Sequence, residues 1–154
     1  SQGAIWANAS LRDISRQVAS ITPNVRDQFF MSNMVPTVIS EDLDAAYAIH
    51  RKTLTGYVSL PNYRNYWRVA GYDKEMDNIE SIIADTPKES LAEQLQQAMT
   101  DEWLRDCTIS GNAAQVREQF SAWAQAGVLP IAVMSSTSGG QAKAVAELFA
   151  AFDS

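Results

Sequence analysis

A chain of 154 residues with 46% hydrophobic and 19% charged side chains can bury one core and is too apolar to be disordered. Its net charge of −6 argues against nucleic acid or an anionic membrane surface as a main partner, since both repel an acidic protein. Cys107 is the only cysteine, which excludes an intramolecular disulfide framework and points to reducing cytoplasm, and no apolar run approaches the ~20 residues that span a bilayer.

The opening Ser-Gln-Gly-Ala-Ile-Trp lacks a signal peptide's basic region and an initiator Met, and reads as an excised piece starting inside a strand over residues 3–8. Ser10 then caps a helix with Leu11, Ile14, Val18 and Ile21 on one face, stopped by Thr22-Pro23. Residues 29–39 form the longest β-like run. Pro36 inside it removes a ladder donor, so a bulge or a change of pairing is expected there. Glu41, Asp42 and Asp44 load the start of the next helix with negative charge, which the helix dipole favours. Its buried face is Leu43, Tyr47, His50, Leu54 and Tyr57. Gly56 and Pro61 end it, and Pro61 opens another helix carrying Tyr63, Tyr66, Trp67 and Ala70, ending at Gly71.

Residues 73–84 read as a helix with Met76, Ile79 and Ile83 inward. Thr86-Pro87-Lys88-Glu89 reads as a capping box opening a helix with Leu91, Leu95 and Ala98 inward, and residues 100–105 add a helical turn anchored by Trp103. Residues 107–110 are extended. Asn112 with Gln115 opens a helix bearing Val116, Phe120 and Trp123, which Gly127 ends. Residues 128–134 form a strand, and Ser138 with Gln141 caps a last helix with Val145, Leu148, Phe149 and Phe152 inward. Alternation of this kind gives an α/β fold with about three parallel strands in a single domain over 1–154, with a helical insertion at about 61–105.

Ser135-Ser136-Thr137-Ser138-Gly139-Gly140 lies between a strand and a helix start. Free N–H groups, hydroxyls and a helix dipole there suit a phosphate; a polar turn that only caps its helix is the competing reading. His50, the only histidine, has no partner for a metal site and reads as a packed histidine, with an acid/base role as the minor reading. Cys107 reads as a small buried hydrophobe. Tyr57, Tyr63, Tyr66 and Trp67, interleaved with Asn62, Arg64 and Asn65, either wall a pocket for a planar ligand or form a small aromatic core that holds the insertion in place.

The stretch Thr55-Gly56-Tyr57-Val58-Ser59-Leu60-Pro61-Asn62-Tyr63-Arg64-Asn65-Tyr66-Trp67 resembles the luciferase-like monooxygenase family of flavin- or deazaflavin-dependent oxidoreductases. Met34 to Ser40 followed by Glu41-Asp42 resembles a late barrel strand of that family. Ser110-Gly111 followed by Val116 resembles its Gly-Thr/Ser-Pro-Glu-Glu-Val segment, although Asn112-Ala113-Ala114-Gln115 replaces Pro-Glu-Glu. Ala126-Gly127-Val128 resembles the entry to its final strand.

The resemblance implies the C-terminal portion of a TIM-type (β/α)8 barrel, without the first five or so strands. The complete enzyme would use FMN or coenzyme F-420, and this chain alone is expected to bind neither and to be inactive. Ser135, Ser136, Ser138, Gly139 and Gly140 would contact cofactor phosphate; Tyr57, Asn62, Tyr63 and Tyr66 would wall the pocket of a small-molecule substrate; no catalytic residue or metal is assigned. The alternative is a non-catalytic half-barrel, an assembly or ligand-binding module that forms a homo-oligomer through its open sheet. The apolar faces of its strands carry Ile5 and Trp6, Phe30, Val35 and Val38, and Ile131 and Val133, with helices enough to cover one face and part of the other.

Overall fold

The longest extended run, β2 (Phe30–Ile39), is the strand on which the computed structural model assembles its sheet; residues 2–21, 23 and 28–153 are described. Strand β1 (Gly3–Ala7) runs parallel to its first half, from Gly3 opposite Phe30 to Ala7 opposite Met34. Short β3 (Ile109–Gly111) pairs with Thr37, Val38 and Ile39, and β4 (Leu129–Ser135) pairs with residues 32–38. All pairings are parallel.

Pro36 explains how β1 and β3 share one partner. The Phe30 N–H donates to the Gln2 carbonyl and the Ser40 N–H to the Gly111 carbonyl, so even-numbered residues of β2 turn their backbone groups to β1 and β3. Pro36 is the even-numbered residue between the end of β1 pairing and the start of β3 pairing, where no donor is required. The expected change of pairing is thus found. Asn8, just past β1, turns out of the ladder at φ 55, a conformation asparagine tolerates better than most residues. Its carbonyl accepts the Trp67 Nε1–H at 3.2 Å instead.

Helices α1 (Leu11–Ala19) and α7 (Ala113–Gln125) pack on one face of the sheet, where Ile14, Val18, Val116 and Trp123 meet Val35, Ile109 and Val128. Between β2 and β3 lie α2 (Leu43–Val58), α3 (Pro61–Val69), α4 (Asp73–Asp85), α5 (Lys88–Ala98) and α6 (Asp101–Cys107). They enclose a second core in which Trp67 and Trp103 meet edge to face at 4.8 Å, with Leu54, Met76, Ile79, Leu95 and Leu104 around them. Helix α8 (Gln141–Phe152) follows β4 and touches α7 through Phe120 and Phe152, ring centroids 5.2 Å apart.

Several expected caps differ. Ser10 holds the N-cap position of α1, but its hydroxyl goes to Asp106. Pro87, not Thr86, is the N-cap of α5, and Thr86 bonds Gln94. Gly140 caps α8 and the Ser138–Gln141 box does not form. The Asn112–Gln115 box forms as expected.

Cys107 ends α6 rather than opening a strand, and α2 runs through Gly56 to Val58, because helical backbone tolerates an interior glycine at modest cost. Leu43 is exposed, as are Val145, Phe149 and Phe152 of α8, which buries Ala144 and Ala151 instead. Thr22 lies outside the described residues. Among those described, no helix is long and apolar enough to cross a membrane and no cluster of His, Cys, Asp and Glu could hold a metal.

Candidate functional site

Ligands in parallel α/β sheets gather at the C-terminal ends of strands, where helix N-termini and loops converge. After β4, Ser136 Oγ donates to Glu147 Oε1 at 3.0 Å and accepts the Ser138 N–H at 3.2 Å, closing the loop on itself. The N–H groups of Gly139, Gly140, Gln141 and Ala142 make no hydrogen bond to any described residue. Space beside Gly140 is open, and a Cβ on Gly139 would lie 2.7 Å from Lys143 Cδ, so the lysine stem rests on that glycine. Four donors with no partner among the described residues, the start of a 12-residue helix and the stem of a lysine lying on Gly139 suit an anion. The phosphate of a flavin or deazaflavin fits this donor set through Gly139, Gly140 and Lys143; Ser136 is committed to Glu147.

After β1, the insertion grips the chain. The Ser10 N–H donates to Tyr66 Oη at 2.8 Å, and the Ala9 N–H donates to Asn33 Oδ1 at 3.2 Å. Asp106 of α6 accepts from the Ser10 hydroxyl, from the Arg12 N–H at 2.8 Å and from the Tyr72 hydroxyl at 2.8 Å. Burial pushes the Tyr66 phenol up to about 12, and Tyr72 is raised first by burial and then by Asp106. Both phenols stay protonated at neutral pH. Nothing in the spacing of Asn8, Ser10, Tyr72 and Asp106 reveals this latch; the one local hint is an asparagine at a strand end, a residue suited to left-handed turns.

The four residues assigned to a substrate wall split up. Tyr57, Tyr63 and Trp67 stack in sequence, 5.0 and 5.6 Å between centroids, and with Tyr66 they pack against the helical core. Asn62 points to solvent. Tyr66 alone reaches a strand end. The aromatic group flanks the β1 edge of β2, whereas the Ser/Gly loop follows β4 on the opposite edge. No hydrogen bond or ring contact joins them among the described residues.

His50 is buried and places Nε2 2.8 Å from Ser110 Oγ. Burial lowers its pKa to about 4, against a smaller upward pull from the Ile109 carbonyl, so the ring is neutral. Ser110 is itself 7% exposed at the floor of a cleft of about 330 Å³ shared with Tyr47, Arg105 and Glu118. Gln119 supplies the outer edge of β3 with a substitute strand: Oε1 accepts the Ser110 N–H at 3.1 Å, and Nε2 donates to the Ser110 carbonyl at 2.7 Å. His50 therefore fastens α2 to β3. Burial also raises the Cys107 thiol far above its ordinary range, making it an inert core group.

No protein-family model and no curated protein matches the sequence. Among solved structures, a coenzyme F-420-dependent tetrahydromethanopterin reductase from Methanopyrus kandleri superposes on 99% of this chain with a TM-score of 0.70 at 15% sequence identity. The chain spans 44% of that enzyme's length. What this likeness shows is the fold alone: an α/β unit with a parallel sheet.

Proposed function

We propose that this chain forms the late-strand arc of a luciferase-like barrel oxidoreductase that works with a deazaflavin of the coenzyme F-420 type. The observation that carries this is the superposition of nearly the whole chain on part of an F-420-dependent reductase. Strands β1, β2 and β4 neighbour one another in chain order with α1 and α7 on a single face, which is how a segment of a (β/α) barrel is built. When bound, a deazaflavin supplies hydride transfer. The chain's own part is to hold phosphate at Gly139, Gly140 and Lys143, and to line the mouth with Tyr66. The resemblance assigns the ring-binding contacts to barrel strands other than β1, β2 and β4.

Amide chemical shifts followed during titration with inorganic phosphate, FMN and coenzyme F-420 test this reading. All three should move Gly139, Gly140 and Gln141 weakly and alike. Silent amides in all three titrations would remove the cofactor role. Micromolar binding of FMN or F-420 at one site per chain would instead overturn the assignment of the ring contacts to other strands.

A further inference from the structure

Arg105 is the exception among the described arginines. Arg12, Arg16, Arg51, Arg64 and Arg68 each pair with a carboxylate, and the Arg117 guanidinium donates to the Ala151 carbonyl. Arg105, in the last turn of α6, makes no such contact with any described residue. Acidic side chains outnumber basic ones 18 to 12, so a carboxylate is not what Arg105 lacks. One stands on the same cleft. Glu118 of α7 lines it with Arg105, yet the two form no ion pair, and Glu118 too is without a partner among the described residues.

The floor of this cleft, of about 330 Å³, is built rather than incidental. Ser110 is nine-tenths buried and held by His50 Nε2 at 2.8 Å. Tyr47 is 7% exposed, and its hydroxyl, which makes no hydrogen bond to a described residue, is not sealed from solvent. Leu11 and Leu43 supply an apolar side, and this is where Leu43 is left 40% exposed. Gln115 is committed to the cap of α7 and Gln119 to the Ser110 main chain, so both fix the wall. All the walls come from α1, α2, α6, β3 and α7, and none from the outer edges of β1 and β4.

We infer that this cleft binds a free α-amino acid with an aliphatic side chain. Two unpaired opposite charges on one cleft match a ligand that carries both. The Arg105 guanidinium and the Tyr47 hydroxyl donate to its carboxylate, and Glu118 accepts from its ammonium. Leu11 and Leu43 take the side chain. A phosphate suits the cleft less, because Glu118 repels it. The cleft shares no residue with the Ser/Gly loop.

Titration of the chain with leucine, followed through the Arg105 guanidinium, Tyr47 ring and Gln119 side-chain amide resonances, tests this. Leucine should shift all three saturably, with Kd on the order of 1 mM or below. Isocaproate, which lacks the amine, and isoamylamine, which lacks the carboxylate, should each bind about tenfold more weakly. Glu118→Gln should abolish the preference for leucine over isocaproate, and Arg105→Gln the preference over isoamylamine. Tyr47→Phe should weaken leucine binding about fivefold. Far-ultraviolet circular dichroism should be unchanged in all three variants.

No saturable shift with leucine would overturn the inference. Equal affinity of the wild type for leucine and isocaproate would overturn it by reducing the cleft to a carboxylate site. A leucine affinity indifferent to both Arg105→Gln and Glu118→Gln would do so too, as would shifts confined to Gly139, Gly140 and Gln141, which put the ligand on the Ser/Gly loop. If a variant unfolds, the three wild-type titrations still decide. Phosphate and cofactor titrations read the loop independently, so failure there leaves this result standing.

Discussion

The chain carries two hydrophobic assemblies that solve the same problem differently. The helical insertion wraps five helices around Trp67 and Trp103 and seals its core on all sides. The sheet has α1 and α7 on one face and leaves large aliphatic side chains exposed on the other. Burial within one short segment is self-sufficient in the first case and depends on added surface in the second. The contrast shows why the site lies where it does. Tyr66, Trp67, Tyr72 and Asp106, fixed in the closed bundle, hold the end of β1 in a turn that strand pairing alone would not impose.

The sharpest way to break this contrast is to hollow the sealed side. Trp103→Ala removes a fully buried ring stacked on Trp67 and should cost about 3–5 kcal/mol, read as a fall in the urea midpoint. A loss below about 1 kcal/mol would mean the bundle core is loose.

Acid comes next. The His50 ring is held neutral with its pKa lowered to about 4 from 6.5, so the unfolded chain takes up its proton first as pH falls. Stability from this group is complete above about 6.5, declines through the interval below it and is lost near 4, amounting to about 3 kcal/mol. The variant His50→Gln should flatten that slope in denaturant titrations run across the interval. An unchanged slope would place the acid sensitivity elsewhere.

The latch between the two regions is a smaller effect. Tyr66→Phe takes the acceptor from the Ser10 N–H and should cost about 1 kcal/mol, with faster hydrogen exchange at that amide. The smallest effect belongs to the open side. Phe149 is 65% exposed, so Phe149→Ser should change monomer stability by no more than about 0.5 kcal/mol. A larger loss would show that α8 is covered in solution.

Much of this architecture is legible in the residues. Period-two and helical spacing locate β1, β2, β4 and nearly every helix, because those elements each bury one face. Pro36 announces a change of pairing through its missing donor. What fails does so for tertiary reasons. The apolar stripe of α8 reads as inward from Val145, Phe149 and Phe152, yet the sheet offers that helix room only at Ala144 and Ala151. Ser10 and Thr86 look like caps, but each hydroxyl finds a side-chain partner remote in sequence or two turns further on.

The tyrosine-rich stretch reads as a pocket wall or, with slight preference, as a packed core, since composition cannot tell a ring facing a ligand from one facing another ring. Its stacking on Trp67 accounts for most of it. The latch through Asp106 joins positions about 34 to 96 residues apart and leaves no local pattern to read.

A parallel strand can slip along its neighbour in steps of two without turning any side chain to the wrong face. Pro36 puts a stop on that movement. Sliding β1 one step toward the C-terminal end of β2 would set the Trp6 carbonyl opposite Pro36, which has nothing to donate. Sliding it the other way would draw Asn8 off Met34 and Trp67, and Ser10 off Tyr66. Between the missing donor on one side and the latch on the other, the native alignment of two apolar strands is set apart from its nearest misaligned competitors.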